Sequence, residues 1–297
     1  MVERMISAEK LDCVVRTADQ LGETPLWCDR TRKLWWVDIE RPKLQSFDLS
    51  SGRHDVFPDP DVTYLGGQAF TSSGGHLLAR DLSLFTRSDD GELRFFTEIE
   101  SGIDNRLNDG RVDAWGRLWI GTMDNQLHRP NGALYRVDPD GTVERIFDQV
   151  IVSNGIAFSP DRRRMHFTDT RRYQSWVLDV DPLTGSVAER RMFADYSATG
   201  DRPDGACFDV DGGLWTVFFG GGRVVRYAPD GRLDTVLSMP VSNPTCVCFG
   251  GRDYRTLFIT TASKFLTEEQ RAAEPMAGAV FALEGVAQGF AEHRFAI

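Results

Sequence analysis

The sequence predicts an all-β fold, a single six-bladed β-propeller with four-stranded blades that takes up residues 1–297. Two observations carry that expectation. Strand-like phrases start at Leu34 (LWWVD), Leu77 (LLARD), Leu118 (LWIGT), Met165 (MHFTD), Leu214 (LWTVF) and Leu257 (LFITT), at intervals of 43, 41, 47, 49 and 43 residues. Each follows a turn rich in Gly, Asp or basic residues, and most are followed by a second alternating strand such as ALYRVDPDG or VVRYAPDG. Two all-β sandwiches would not make one phrase recur at this spacing.

Taken in chain order, the leading segment LDCVVRT is expected to complete the last blade beside AVFALEG or EHRFAI, because closure of the ring hides the sheet edges. Arg162-Arg163-Arg164, after Ser159-Pro160-Asp161, reads as a solvated turn, and Gly220-Gly221-Gly222 as a hairpin rather than a phosphate cradle. Residues 263–278 read as a helical or loop insertion in the last blade. Asn154-Gly155 in VSNGIAF stands ahead of an apolar run, where a hairpin turn does not belong. Similar phrases recur as LNDGRV at 107–112 and PDGACF at 203–208.

Composition narrows the function. The chain is 41% hydrophobic and 26% charged, as in ordinary globular proteins, and its formal net charge of −10 argues against a nucleic-acid partner. The N-terminus has no apolar secretory core and no later stretch is long and apolar enough to span a membrane, so the expected location is the cytoplasm. Five cysteines, an odd number at irregular spacing, read as reduced thiols; Cys246 and Cys248 alternate along TCVCF and are expected to pack on a sheet.

Aligning the repeats on Trp27, Phe70, Val112, Phe158, Phe208 and Phe249 and stepping back four places gives Glu23, Gly66, Asn108, Asn154, Asp204 and Thr245. The first strand of each blade lines the central channel, so this phase forms a ring around one axis. The ring holds two carboxylates, two amides and neither His nor Cys. Oxygen-only donors with two negative charges suit Ca²⁺ or Mg²⁺ and can hold Mn²⁺ or Zn²⁺; the competing reading is a water-filled polar channel. Arg106, two places before Asn108, points to the same side if the backbone is extended, or else pairs with Asp104 or Asp109 at the surface. None of the five histidines falls at the ring phase, and no Ser/His/Asp set can be assembled.

The phrases LGETPLW, WWVDI, NRLNDGRVDAWGRLWIGTM, SNGIAFSPD, RPDGACFDVDGGLW and CFGGRDY together resemble the regucalcin (senescence marker protein) and gluconolactonase family of sugar lactonases, in order across nearly the whole chain. The resemblance implies a six-bladed propeller with one divalent cation held by Glu23, Asn154 and Asp204. It places Arg106 and Asn108 against a small sugar lactone, and its site loop after GTM brings Asp124 into consideration as a further substrate contact. Calcium is the first expectation for the metal, with zinc, manganese and iron as alternatives. Asp204 is the expected general base, since no histidine is placed to serve. Metal-dependent hydrolysis of aldonolactones is the expected activity, against a calcium-binding regulatory protein without turnover. Thr24 stands where the family carries Gly, and Asp124, Asn125 and Gln126 where animal relatives carry glutamates.

Overall fold

The computed structural model describes residues 2–297 as six four-stranded antiparallel sheets arranged as the blades of a propeller. Numbered along the chain, blades 1 to 6 start with the inner strands Gly22–Cys28, Leu65–Phe70, Asn105–Val112, Ser153–Phe158, Pro203–Phe208 and Pro244–Gly250. The recurrent phrases are the second strands, Lys33–Asp38, His76–Arg80, Leu118–Asp124, Arg164–Asp169, Leu214–Phe218 and Thr256–Thr261. They are buried on both faces because each blade is sandwiched between two others, which is why they run apolar with little alternation.

The ring closes as the pattern of the N-terminal segment suggested. Asp12–Val15 pairs antiparallel with Val280–Glu284 and becomes the fourth strand of blade 6. Of the two partners considered for it, AVFALEG is the one used. EHRFAI runs elsewhere, crossing one end of the channel so that Phe295 bridges to Thr71 of blade 2 and Ala296 N–H donates to Gly116 O of blade 3. Blade 5 gains a fifth strand, Arg4–Ile6, parallel to Leu233–Ser238. Residues 263–278 are an insertion carrying the short helix Glu268–Ala273, whose N-cap Thr267 makes a reciprocal capping box with Gln270.

Three blades share one core device. Trp36, Trp119 and Trp215, fully buried on second strands, donate their indole N–H to Asp19, Asp113 and Asp209 at 2.9, 3.0 and 2.9 Å. A buried indole without a partner would be costly, and here each apolar ring keeps its polar edge satisfied. Between these lie aliphatic and phenyl side chains such as Leu34, Phe167 and Phe281, each at most 1% exposed and worth roughly 3 kcal/mol of burial. All five cysteines are free, and Cys246 and Cys248 are buried in the sheet. Arg162, Arg163 and Arg164 are exposed, and residues 219–222 form the turn between two blade-5 strands. Among the described residues no helix is long and apolar enough to cross a membrane.

Candidate functional site

Every inner strand breaks its pairing register near the same place. The irregularities fall between Glu23 and Leu26, Leu65 and Gly67, Leu107 and Gly110, Asn154 and Ala157, Pro203 and Ala206, and Pro244 and Cys246. A bulge places two residues opposite one, bends the strand and re-aims a side chain. Six bulges at one repeat phase turn the ring residues toward the axis. Gly66 is there because Leu107 O approaches so closely that a Cβ would collide. Gly155 sits at φ +60°, and a Cβ would come within 2.9 Å of Thr168 Oγ1 and 3.0 Å of Asp204 O, so the Asn-Gly pair is needed for the inner strand and serves no hairpin.

The bulges bring Glu23, Asn108, Asn154 and Asp204, with Arg106, to the base of one cleft of about 590 Å³. Thr245, the sixth ring residue, spends its hydroxyl on Gly22 O and Thr260 and takes no part in the lining. Asp124 is not brought to the cleft. Its carboxylate is held by the Arg129 guanidinium, at 2.9 Å from Nε to Oδ1, and accepts the backbone N–H groups of His128 and Arg129, so it ties down the loop after the second strand of blade 3. Arg106 is 4% exposed and does not use the surface pairing with Asp104 or Asp109; Asp104 pairs with Arg129 instead.

A directed chain of hydrogen bonds fixes the amides. Arg106 Nη1 donates to Asn108 Oδ1; Asn108 Nδ2 donates to Asn154 Oδ1 at 2.8 Å and to Ser153 O at 2.8 Å. Asn154 Nδ2 donates to Thr170 Oγ1 at 2.8 Å, and that hydroxyl donates to Pro203 O at 2.7 Å, one residue before Asp204. A guanidinium can only donate and a carbonyl can only accept, so both ends dictate which way each amide faces. Asn154 Oδ1 accepts one bond and keeps a lone pair available.

The carboxylates are under-partnered. Glu23 Oε2 accepts the N–H of Thr24 at 2.8 Å, while Asp204 Oδ1 is buried without a hydrogen bond. Burial, with repulsion from Asp109, pushes Glu23 up to about 8. Burial, then Glu23 and Asp109, holds Asp204 well above the usual carboxylate range. Asp109, expected from sequence only as a surface partner for Arg106, accepts Ile156 N–H at 2.7 Å with one oxygen while the other is unsatisfied. Among the described residues no three His, Cys, Asp or Glu side chains cluster. Two carboxylates are available, and Asn154 supplies the third oxygen. Two buried like charges, an orphaned carboxylate oxygen and an oriented amide oxygen form a donor set that fits a hard divalent cation, whose charge would reverse the upward shifts.

The second row of the cleft was readable but unread. Arg202 stands two places before Asp204, as Arg106 does before Asn108, and by the same alternation it reaches the lining. Leu21 and Val152 occupy the equivalent places before Glu23 and Asn154 and also line the cleft. Arg171 and Lys264 arrive from the ends of second strands, for which the repeat phase gave no signal.

Comparisons with known proteins follow the same geometry. Residues 21–263 match the family model described as SMP-30/Gluconolactonase/LRE-like region. The chain is 39% identical to a 6-deoxy-6-sulfogluconolactonase of Pseudomonas putida, over 97% of this chain and 99% of that one. It is 37% identical to an L-arabinolactonase of Azospirillum brasilense, over 94% and 93%. A crystal structure described as that of a calcium-binding protein, regucalcin, from Agrobacterium tumefaciens superposes with a TM-score of 0.94 at 31% identity and full coverage of both chains.

Proposed function

The chain belongs to the SMP-30/Gluconolactonase/LRE-like family, and from that premise we propose that it is a metal-dependent hydrolase that opens aldonolactones, cyclic sugar esters, to aldonic acids. Two relatives carry lactonase names, and the observation that carries the reading here is the orphaned oxygen of Asp204 beside Glu23 and Asn154 at the base of an open cleft. Glu23, Asn154 and Asp204 would hold the cation. Calcium is the first choice because a solved relative is described as calcium-binding; zinc, manganese and iron suit the same donors less selectively. When bound, such a cation supplies Lewis acidity, drawing charge from a carbonyl oxygen and making water more acidic.

The protein's own groups do the rest. Arg106, buried and without a carboxylate partner among the described residues, presents a fixed positive charge to the lactone. Asn108 locks Arg106 to Asn154, so the side chain that faces substrate and the amide that faces the cation keep one relative position. Asp204 accepts the proton of the attacking water, and ring opening releases the acid. The expected test is proton release from a panel of aldonolactones by chelator-stripped protein, with each cation added back, for wild type and Asp204→Asn. Cation-dependent turnover that collapses in the variant supports the reading. Tight calcium binding with no hydrolysis above the spontaneous rate would replace it with that of a calcium-binding protein without turnover.

A further inference from the structure

The cleft has more positive charge than a neutral sugar lactone requires. Glu23 and Asp204 would be balanced by one divalent cation, and Lys264 is balanced by its ion pair with Glu40. Three guanidinium groups remain, Arg106, Arg171 and Arg202, none with a carboxylate partner among the described residues. Arg106 belongs to the base. Arg171 and Arg202 stand at the rim and are tied side by side, because the Thr170 Oγ1 to Pro203 O bond of 2.7 Å joins the residue before Arg171 to the residue after Arg202.

Both rim side chains are positioned but not consumed. Arg171 Nε donates to Leu127 O at 3.0 Å, which leaves its terminal nitrogens free to bind. Arg202 lies over the Phe219 ring at 5.3 Å, and Phe219 in turn meets the edge of Phe265 from the insertion at 6.2 Å. The aromatic wall fixes the guanidinium by its face, and its N–H groups make no hydrogen bond among the described residues. A neutral polyol offers hydroxyls that both donate and accept, whereas these two side chains can only donate. Two donor forks beside a partly apolar wall suit an oxyanion, which takes several charge-assisted hydrogen bonds at once.

We propose that the physiological substrate is an aldonolactone bearing an anionic group at the end remote from its lactone carbonyl, and that Arg171 and Arg202 bind that group. The proposal rests on the lactonase reading above. Its test compares calcium-loaded protein acting on D-glucono-1,5-lactone with the analogues carrying sulfonate or carboxylate at C6. A kcat/KM at least tenfold higher for either anionic lactone is expected, the larger gain naming the anion. Arg202→Gln and Arg171→Gln should each raise KM for the anionic lactone, with a loss of kcat/KM tenfold or more beyond the loss on the neutral lactone. Added salt should erode the same preference. Turnover of all three lactones at similar kcat/KM, or equal losses on charged and neutral substrates in both variants, overturns this proposal and leaves the lactonase reading standing. If none is hydrolysed, the lactonase reading falls and this one with it.

Discussion

The open cleft and the opposite end of the channel both bury charge, and they treat it differently. At the closed end Arg111 donates to Ala206 O at 2.9 Å and to Glu292 Oε1 at 2.6 Å, with a longer bond to Ile156 O. The C-terminal tail that brings Glu292 is itself pinned by Phe295, which is fully buried and exchanges backbone bonds with Phe70 and Ser72. The buried guanidinium and the tail carboxylate there are paired with each other. At the open end Asp204 Oδ1 and Thr24 Oγ1 have no hydrogen-bond partner, no carboxylate pairs directly with Arg106 among the described residues, and Thr24 is held at φ +48°, a conformation that a β-branched residue adopts only under strain. Matched charges with a buried lid describe structure; unmatched charges with strained backbone describe a place prepared for something else.

Substitutions at the two ends should therefore separate activity from stability. The largest effect is expected at the open end, where Asp204→Asn should cut lactone hydrolysis by about 10³-fold or more while leaving the cation-free melting midpoint no lower than wild type. A collapse of that midpoint would make the open end structural and erase the contrast. Next is Glu292→Ala, which strands the buried Arg111 cation and should cost roughly 3 kcal/mol in chemical denaturation, with kcat within about twofold of wild type at a temperature where both are folded.

A pH effect is expected on the same side of the molecule as the tail. Burial, with the charges of Arg87 and Arg294, pushes His76 down to about 3, and its Nδ1 lies 2.8 Å from Gln68 Oε1. The folded value lies below the unfolded one near 6.5, so this group's stabilisation is complete above about pH 6.5 and is lost as pH falls toward the folded value. From pH 6.5 to 5 the loss is about 2 kcal/mol, and His76→Gln should flatten that part of the profile when denaturation midpoints are compared across pH. The smallest effect is expected for Thr24→Gly. Removing the strained φ should raise stability by about 1 kcal/mol after allowing for the freer unfolded chain, and a loss instead would show that the Thr24 side chain holds Glu23 in place.

Much of this was legible in the chain because a propeller writes its geometry as a period. Glu23, Asn108, Asn154 and Asp204 share a repeat phase, and the cleft collects all four. The bulges were not legible, since register is a property of two strands and neither states it alone. Asp124 misled for a related reason: its carboxylate is taken by Arg129, five residues on, and local pairing leaves no trace in a repeat. Arg202 was available to the alternation argument already applied to Arg106. Arg171 needed the structure, because it comes from the far end of a different strand.

The closing strand Asp12–Val15 has a consequence for the order in which the protein assembles. Asn154 and Asp204 lie on adjoining blades 4 and 5 and can meet early, through contacts of modest sequence separation. Glu23 lies on blade 1 and reaches Asp204 only across blade 6, whose outermost strand is supplied by the N-terminus. The full set of candidate ligands therefore exists only in the closed ring. If the proposed cation binds there, its affinity would report closure of the ring, because the inner strands of blades 5, 6 and 1 must pack in succession to bring Glu23 to Asp204.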